Sequence, residues 1–231
     1  MCRTRRKWVC TIEPGKLIPA LLEGAELKLA QTFTLDDLRD DVPTVLAAGE
    51  KIISLLPWLK IEGRLGQVEL AEVGVEAPAS AIASGHYALA LGKKRLWGAT
   101  FEAWDGRVPE PSDAAREQNM AALETLDPYW RQSVKAAPLT SRAGVRATTA
   151  DRLPLIGAVP DEVRAREVFD GVRHGKTVEA DAPLIDGLYL AGGYGARGFT
   201  WAPWAGEVLT VRWGAVRGGP ASSPRSGIAV R

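Results

Sequence analysis

Histidine and cysteine are both scarce in this chain, at two residues each among 231. His86 and His174 stand isolated, so neither a Ser-His-Asp arrangement nor a histidine metal cluster can be read from the sequence. Cys2 and Cys10 belong to no CxxC pair, which excludes a disulfide framework and a zinc site and leaves a reducing, cytoplasmic setting as the default expectation. Charge of one sign is also lacking. With 29 basic and 28 acidic side chains the formal net charge is +1, too small for a global pull toward nucleic acid or anionic lipid. No apolar run is long enough to span a bilayer, so no membrane partner is expected. The basic start, Met1 to Lys7, is not followed by the apolar core of a secretion signal and is taken as a ragged end.

What is present is an ordinary globular composition, 46% hydrophobic and 25% charged, on a chain long enough to bury a core. Apolar spacing predicts a helix over Pro14 to Glu23, and alternation predicts a strand over Leu27 to Phe33. An acidic turn, Asp36 to Asp41, leads into Thr44-Val45-Leu46-Ala47-Ala48-Gly49, which has the unbroken apolar character of a buried parallel strand. From Gly66 the pattern becomes antiparallel, with strands predicted at Gln67 to Val73, Ala88 to Leu91 and Leu96 to Glu102. A helix is expected over Ser112 to Leu126, with Ala115, Asn119, Ala122, Leu123 and Leu126 on one side and Asp127-Pro128 at its end. A strand near Ala143 to Thr148 follows. Val163 to Ala182 reads as an irregular polar loop, Pro203 to Trp213 as a helix with proline near its start, and the residues after Gly214 as a disordered tail.

Two segments carry chemistry. In Gly187 to Pro203 a strand runs into a loop rich in glycine and then into a helix. Such a layout aims backbone N–H groups and the positive helix end at one point, as an anionic or polar ligand requires, although a tight strand-to-helix turn has the same pattern. In Arg142 to Gly157, strand alternation puts Arg142, Gly144 and Arg146 on one face. Two guanidinium groups there suit a carboxylate, and a solvated arginine pair is the alternative.

Together, Asp151-xx-Pro154-xx-Gly157, Gly187-Leu188-Tyr189 with its glycine loop, and Pro203-xxx-Glu207 resemble the D-amino-acid oxidase and glycine oxidase superfamily of flavoenzymes. Gly66-Gln67-Val68, Gly98 to Glu102 and Asn119-xxx-Leu123 extend the resemblance, which covers roughly Trp8 to Trp213. It implies FAD as cofactor and oxidation of a C–N bond, the flavin carrying the chemistry. It further implies that Arg146 holds the substrate carboxylate, that Gly193, Gly195, Ala196, Arg197, Gly198 and Phe199 lie along the flavin, and that Ala48 and Gly49 end a strand near it. No metal is implied. The wording of Arg142 to Asp161 and of residues 193 to 198 most resembles members that remove a carboxymethyl group from a modified wobble uridine of tRNA. A small-molecule amine or amino-acid oxidase, or a non-catalytic fragment paired with a separate FAD-binding or methyltransferase segment, is the alternative.

The family's opening strand, GxGxxG loop and helix have no counterpart here, so the first βαβ unit is expected to be missing and FAD binding by these residues alone to be weak. The expected fold is α/β with an α+β substrate domain: an incomplete FAD-binding dinucleotide fold plus a mainly antiparallel sheet domain. The expected divisions are 1–63 (late strands of the FAD-binding domain), 64–150 (substrate domain), 151–213 (return to the FAD-binding domain) and 214–231 (tail).

Overall fold

The computed structural model describes residues 11–39 and 41–218. Both cysteines, the basic start and the tail beyond Gly218 lie outside the described residues. The chain divides into two compact units. One joins the chain up to Thr32 with Arg64–Val145, and the other joins Phe33–Gly63 with the chain from Arg146 onward. Residues before Thr32 therefore cluster with the antiparallel unit rather than with the rest of 1–63.

The first unit opens with helix α1, Pro14–Leu21, whose initial proline gives up no hydrogen bond because first-turn N–H groups have no helical partner. The strand expected over Leu27 to Phe33 does not form. Alternation yields a strand only where a sheet edge accepts its backbone hydrogen bonds, and Leu27 and Leu29 remain exposed. Strand β2, Ile61–Ser84, turns at Gly85 (φ 72°) into β3, His86–Gly98, in an antiparallel hairpin with Val68 opposite Gly98. The strand expected through Glu102 is interrupted, because β3 stops at Gly98 and a short β4, Glu102–Ala103, pairs with Arg64 and Leu65. At the break the Gln67 amide donates to the Thr100 hydroxyl (2.9 Å), a side-chain oxygen standing in for a ladder carbonyl.

The hairpin register slips between Glu72 and Ala77, and Arg95 lies across from the slip, 6% exposed. Its guanidinium donates to the carbonyls of Gly92 (2.7 Å), Lys94 (2.9 Å) and Val75 (3.0 Å). Oxygens near the disrupted ladder thus gain donors from one planar side chain. Helix α3, Asp113–Leu126, is capped by the Ser112 hydroxyl and buries Ala115, Asn119, Leu123 and Leu126. Ala122 is only half-buried. Asp127 ends α3 and caps helix α4, Pro128–Ser133, by accepting from the Tyr129 and Trp130 amides. Strand β5, Leu139–Thr149, pairs with β2.

A buried carboxylate ties this unit together. Glu69, fully buried, accepts from Gln67 Nε2 (2.7 Å), Asn119 Nδ2 (3.2 Å) and Ser141 Oγ (2.5 Å), with Arg116 Nε at 3.6 Å. Strand β2, helix α3 and strand β5 meet at this one side chain. Removing it would strand several buried donors, so Glu69→Ala is expected to cost about 2–4 kcal/mol. Glu69→Gln, which keeps an acceptor, should cost clearly less. Urea unfolding followed by far-ultraviolet circular dichroism checks this, and equal midpoints for wild type and Glu69→Ala would refute it.

In the second unit, β1, Thr44–Leu46, runs parallel to β7, Leu184–Gly192, and β6, Leu155–Pro160, lies antiparallel on the other side of β7. Leu46 is buried, whereas Thr44 and Val45 are half-buried. Leu46, Leu188, Leu190 and Val159 form a core with Ala147, Leu56, Ile61 and Ile52 of helix α2, Ile52–Leu55. The segment read as an irregular loop after Val163 instead begins with helix α5, Glu162–Val168, and a 3-10 turn, Asp170–His174. This helix buries no residue, which is why periodicity missed it. An Asp161 cap and a Glu162–Arg166 ion pair at 2.6 Å support it.

Helix α6, Gly198–Gly218, packs on β6 and β7. It starts before Pro203 and continues past Gly214, where a tail was expected. Pro203 consequently lies inside the helix, where it removes a hydrogen bond to the carbonyl of residue 199. Among the described residues no helix is long and apolar enough to cross a membrane.

Candidate functional site

The site grows from the end of β7. Leu188, Leu190, Ala191, Gly192 and Gly193 are buried, and the chain then emerges through half-buried Tyr194 and Gly195 to exposed Ala196 and Arg197. Gly193 and Gly195 adopt φ values of 71° and 56°, left-handed conformations that a side chain resists. Because β1 is parallel to β7 with Leu46 opposite Leu190, Ala48 and Gly49 leave the sheet at the same end as Gly192 and Gly193. The carboxyl ends of parallel strands are where α/β sheets receive ligands. The Ala48 side chain packs on the core, while Gly49 (φ 55°) begins a 3-10 turn with nothing within 4 Å of a built Cβ.

Strand β5 meets this loop directly. The Gly195 amide donates to the Ala147 carbonyl (2.8 Å), and Thr148 and Tyr194 form an antiparallel bridge. The sequence segment carrying Arg146 and the segment carrying the glycines are therefore held side by side in one unit. Along β5, Ala147 and Thr149 are buried, and Arg146 and Thr148 on the opposite face are half-buried. Arg142 is exposed and belongs to the first unit.

Asp151-xx-Pro154 has a local explanation. The Asp151 carboxylate accepts from the Leu153 amide (3.0 Å), and the Arg152 amide donates to the Thr149 carbonyl (3.1 Å). The Leu153 amide holds the Asp151 carboxyl below its ordinary range, so the acceptor is ionised at neutral pH. The turn places Arg152 at φ 62°, and its carbonyl accepts from the Arg197 guanidinium. Arg197 also lies over the Trp201 ring at 5.7 Å, and Trp201 meets Trp204 edge-on at 5.5 Å. Arg197 is thus held by Trp201 of α6 and by the Asp151 turn.

At the start of α6, the Gly198 and Phe199 amides have no helical acceptor, as for any helix opening. Nothing lies within 4 Å of a Cβ built on Gly198, so the positive helix end is sterically open there. Phe199 is exposed. His86 is half-buried with Nδ1 unpartnered, His174 is exposed, and neither joins these residues. Among the described residues no cluster of His, Cys, Asp and Glu could hold a metal. Sequence reading passed over Thr148, Tyr194 and Ile52. Alternation from Arg146 would have pointed to Thr148, but no local pattern announces Ile52.

Ile52 explains one glycine without a ligand. A Cβ on Gly192 would lie 2.3 Å from Cδ1 of Ile52, which is fully buried. Gly192→Ala is expected to destabilise the protein by about 1–3 kcal/mol through overpacking. Adding Ile52→Val removes the offending methyl group, so the double variant should recover part of that loss rather than sum the two. Thermal melts of the four proteins check the coupling, and simple additivity would refute the contact.

The family model described as "FAD dependent oxidoreductase" matches residues 11–212. The "tRNA 5-methylaminomethyl-2-thiouridine biosynthesis bifunctional protein MnmC" of Aromatoleum aromaticum is 35% identical over 153 residues, covering 65% of this chain. That of Burkholderia mallei is 32% identical over 150 residues, covering 64%. The matches span only 23% and 22% of those relatives' lengths. In fold the chain is similar to iminodiacetate oxidase from Chelativorans sp. BNC1, with TM-score 0.53 and 24% identity over 78% of this chain and 43% of that one. It is also similar to glycine oxidase from Geobacillus kaustophilus, with TM-score 0.54 and 20% identity over 72% of this chain and 40% of that one.

Proposed function

Because the chain belongs to the family of FAD-dependent oxidoreductases, we propose that it supplies the substrate-anchoring and flavin-facing residues for oxidation of a secondary amine. The finer reading is removal of the carboxymethyl group from a modified wobble uridine of tRNA, which the names of the curated relatives support. The observation that carries the reading is the stitch between β5 and the glycine loop, the Gly195 amide on the Ala147 carbonyl, next to Arg146.

The residues present fit a flavin. Gly198 is open, and the amides that begin α6 together with its positive end would receive a polar, electron-rich group, with Gly49 open at the end of β1. Gly193, Gly195, Ala196, Arg197, Gly198 and Phe199 would lie along the cofactor, with Ala48 and Gly49 at the neighbouring strand end. FAD held there would supply the two-electron oxidation of the C–N bond. Arg146 would hold the carboxylate in a charge-assisted, bidentate contact and so orient the reacting carbon. Arg197, fixed by the Arg152 carbonyl and the Trp201 ring, would set the loop's shape rather than anchor substrate. In this reading the antiparallel unit is the substrate domain, tRNA is the partner, and the relatives' remaining length supplies a further FAD-binding and methyltransferase segment.

The test is flavin reduction in the chain supplied with FAD, followed by loss of the oxidised absorbance. Carboxymethylaminomethyl-modified tRNA should reduce the flavin, and free sarcosine should do so poorly; the opposite preference would favour a small-molecule amine oxidase. Arg146→Ala should need about 10- to 100-fold more substrate, the weight of a hydrogen bond to a charged group. Arg146→Lys keeps the charge without the fork and should remain impaired. An unchanged half-saturation in Arg146→Ala would remove Arg146 from the anchoring role.

A further inference from the structure

The antiparallel unit carries a groove of about 500 Å³ lined from helix α3, helix α4 and strand β5, within the size range of small-molecule sites. It shares no residue with Arg146 or the glycine loop. Met120 and Ala121 of α3 and Leu139 of β5 give it an apolar lining. Met120 and Leu139 also pack on the core of the unit, so this surface is supported from beneath. Charge of both signs accompanies it. Glu117 and Glu124 lie about two turns apart on α3 and therefore on the same side of that helix as Ala121. Arg116 and Arg131 complete the lining.

The two arginines differ in what they are free to do. Arg116 is committed: its guanidinium donates to the Ser141 hydroxyl (3.1 and 3.3 Å) and to Asp113 (3.0 Å), and lies 3.6 Å from buried Glu69. Arg131, half-buried in the last turn of α4, makes no side-chain hydrogen bond or ion pair among the described residues. Glu117 and Glu124 make none either. Elsewhere the chain does pair such groups, as Arg164 with Asp161 and Arg166 with Glu162 on α5. The groove thus offers one uncommitted guanidinium and two uncommitted carboxylates beside an apolar surface.

We propose that this groove binds a free α-amino acid with an apolar side chain. Its carboxylate sits on Arg131, its ammonium on Glu117 and Glu124, and its side chain on Met120, Ala121 and Leu139. The pattern of charge selects this class. A simple anion meets Arg131 but is repelled by two carboxylates, and a simple cation has the reverse conflict. An uncharged apolar molecule would take water from all three charges and return nothing. A zwitterion satisfies both signs at once. The planar guanidinium can hold both carboxylate oxygens, and the flexible methionine adapts to straight or branched aliphatic chains. The amino acid is held there and not transformed, so the site is separate from the amine oxidation proposed above.

The probe is α-methylleucine, which has no hydrogen on its α carbon and so cannot be consumed by amine oxidation. Its two halves serve as controls: 4-methylpentanoate has the carboxylate without the ammonium, and 3-methylbutylamine the ammonium without the carboxylate. Binding to the full chain supplied with excess FAD is measured by ligand-observed NMR titration. The amino acid should bind saturably, and each half about 10-fold more weakly or worse. Arg131→Gln should weaken the amino acid about 10-fold at an unchanged melting temperature, and Arg131→Lys should recover part of the loss. Glu117→Gln/Glu124→Gln should weaken the amino acid and the amine while sparing 4-methylpentanoate. Arg146→Ala should change none of these affinities. Absence of saturable binding would overturn the proposal, and so would equal binding of 4-methylpentanoate and the amino acid, which marks a plain anion site. Loss of binding in Arg146→Ala with none in Arg131→Gln would place the probe at the candidate site instead and overturn it equally.

Discussion

The hydrogen bond from the Gly195 amide to the Ala147 carbonyl is the contact on which the candidate site depends. It joins a strand end to a loop far away in sequence, and it fixes register as well as proximity. Side chains on a strand alternate with period two, so a slip of one residue would turn Arg146 and Thr148 inward and send Ala147 and Thr149 outward. That slip is resisted from the buried face. Ala147 belongs to the core built on Leu46, Leu188 and Leu190, and Thr149 donates to the Leu153 carbonyl (2.6 Å) while its methyl group packs toward Gly193. The exposed-face residues are thus specified by what is buried behind them.

The antiparallel unit reaches the same end by polar means. Its hairpin is irregular, and an irregular ladder leaves backbone oxygens without partners. Arg95 serves such carbonyls with one guanidinium, and Glu69 gathers donors from two strands and a helix. Each arrangement keeps a charged side chain in the interior only because nearly every strong donor or acceptor around it is engaged. Apolar packing alone would tolerate a shifted strand, whereas these hydrogen bonds do not, so the polar side chains specify register more sharply than the surrounding alanines and valines can.

Much of this was legible in the sequence where one local cause dominates. Helix α3 announced itself through Ser112, the spacing of Ala115, Asn119 and Leu123, and the Asp127-Pro128 stop. The β1 and β7 strands were visible as apolar runs ending in glycine. The misses have equally specific causes. Leu27 to Phe33 alternates, but Leu27 and Leu29 find no covering layer. Helix α5 has no buried stripe and is held by a cap and an ion pair, which periodicity does not detect. The interruption at Thr100 depends on a side chain from one strand replacing a carbonyl on another, a long-range event that no window of sequence contains. For the site, sequence reading brought Arg146 and the glycine loop together only through resemblance, whereas the structure joins them by a backbone hydrogen bond and a bridge. Tyr194 was passed over because it is tied to β5 by its bridge to Thr148, and pairing partners are not written locally.

The glycines show how far a motif can be read before geometry is known. Taken as a string, residues 192 to 198 look like a continuous ligand cradle, yet their glycines are present for different reasons. At Gly192 the missing side chain makes room for Ile52, so this glycine belongs to the core. At Gly193 and Gly195 the requirement is conformational, since both have left-handed φ values and let the chain reverse onto β5. Of these, only Gly198 is both free of crowding and outside the left-handed region, and it opens α6 where unpaired amides and the helix dipole converge. The open space and unpaired amides that an electron-rich ligand would need are therefore concentrated at the helix start, and the earlier glycines act by shaping the path that carries the chain there. Replacing a glycine in this loop tests three separate things depending on position: packing at Gly192, backbone conformation at Gly193 and Gly195, and ligand access at Gly198.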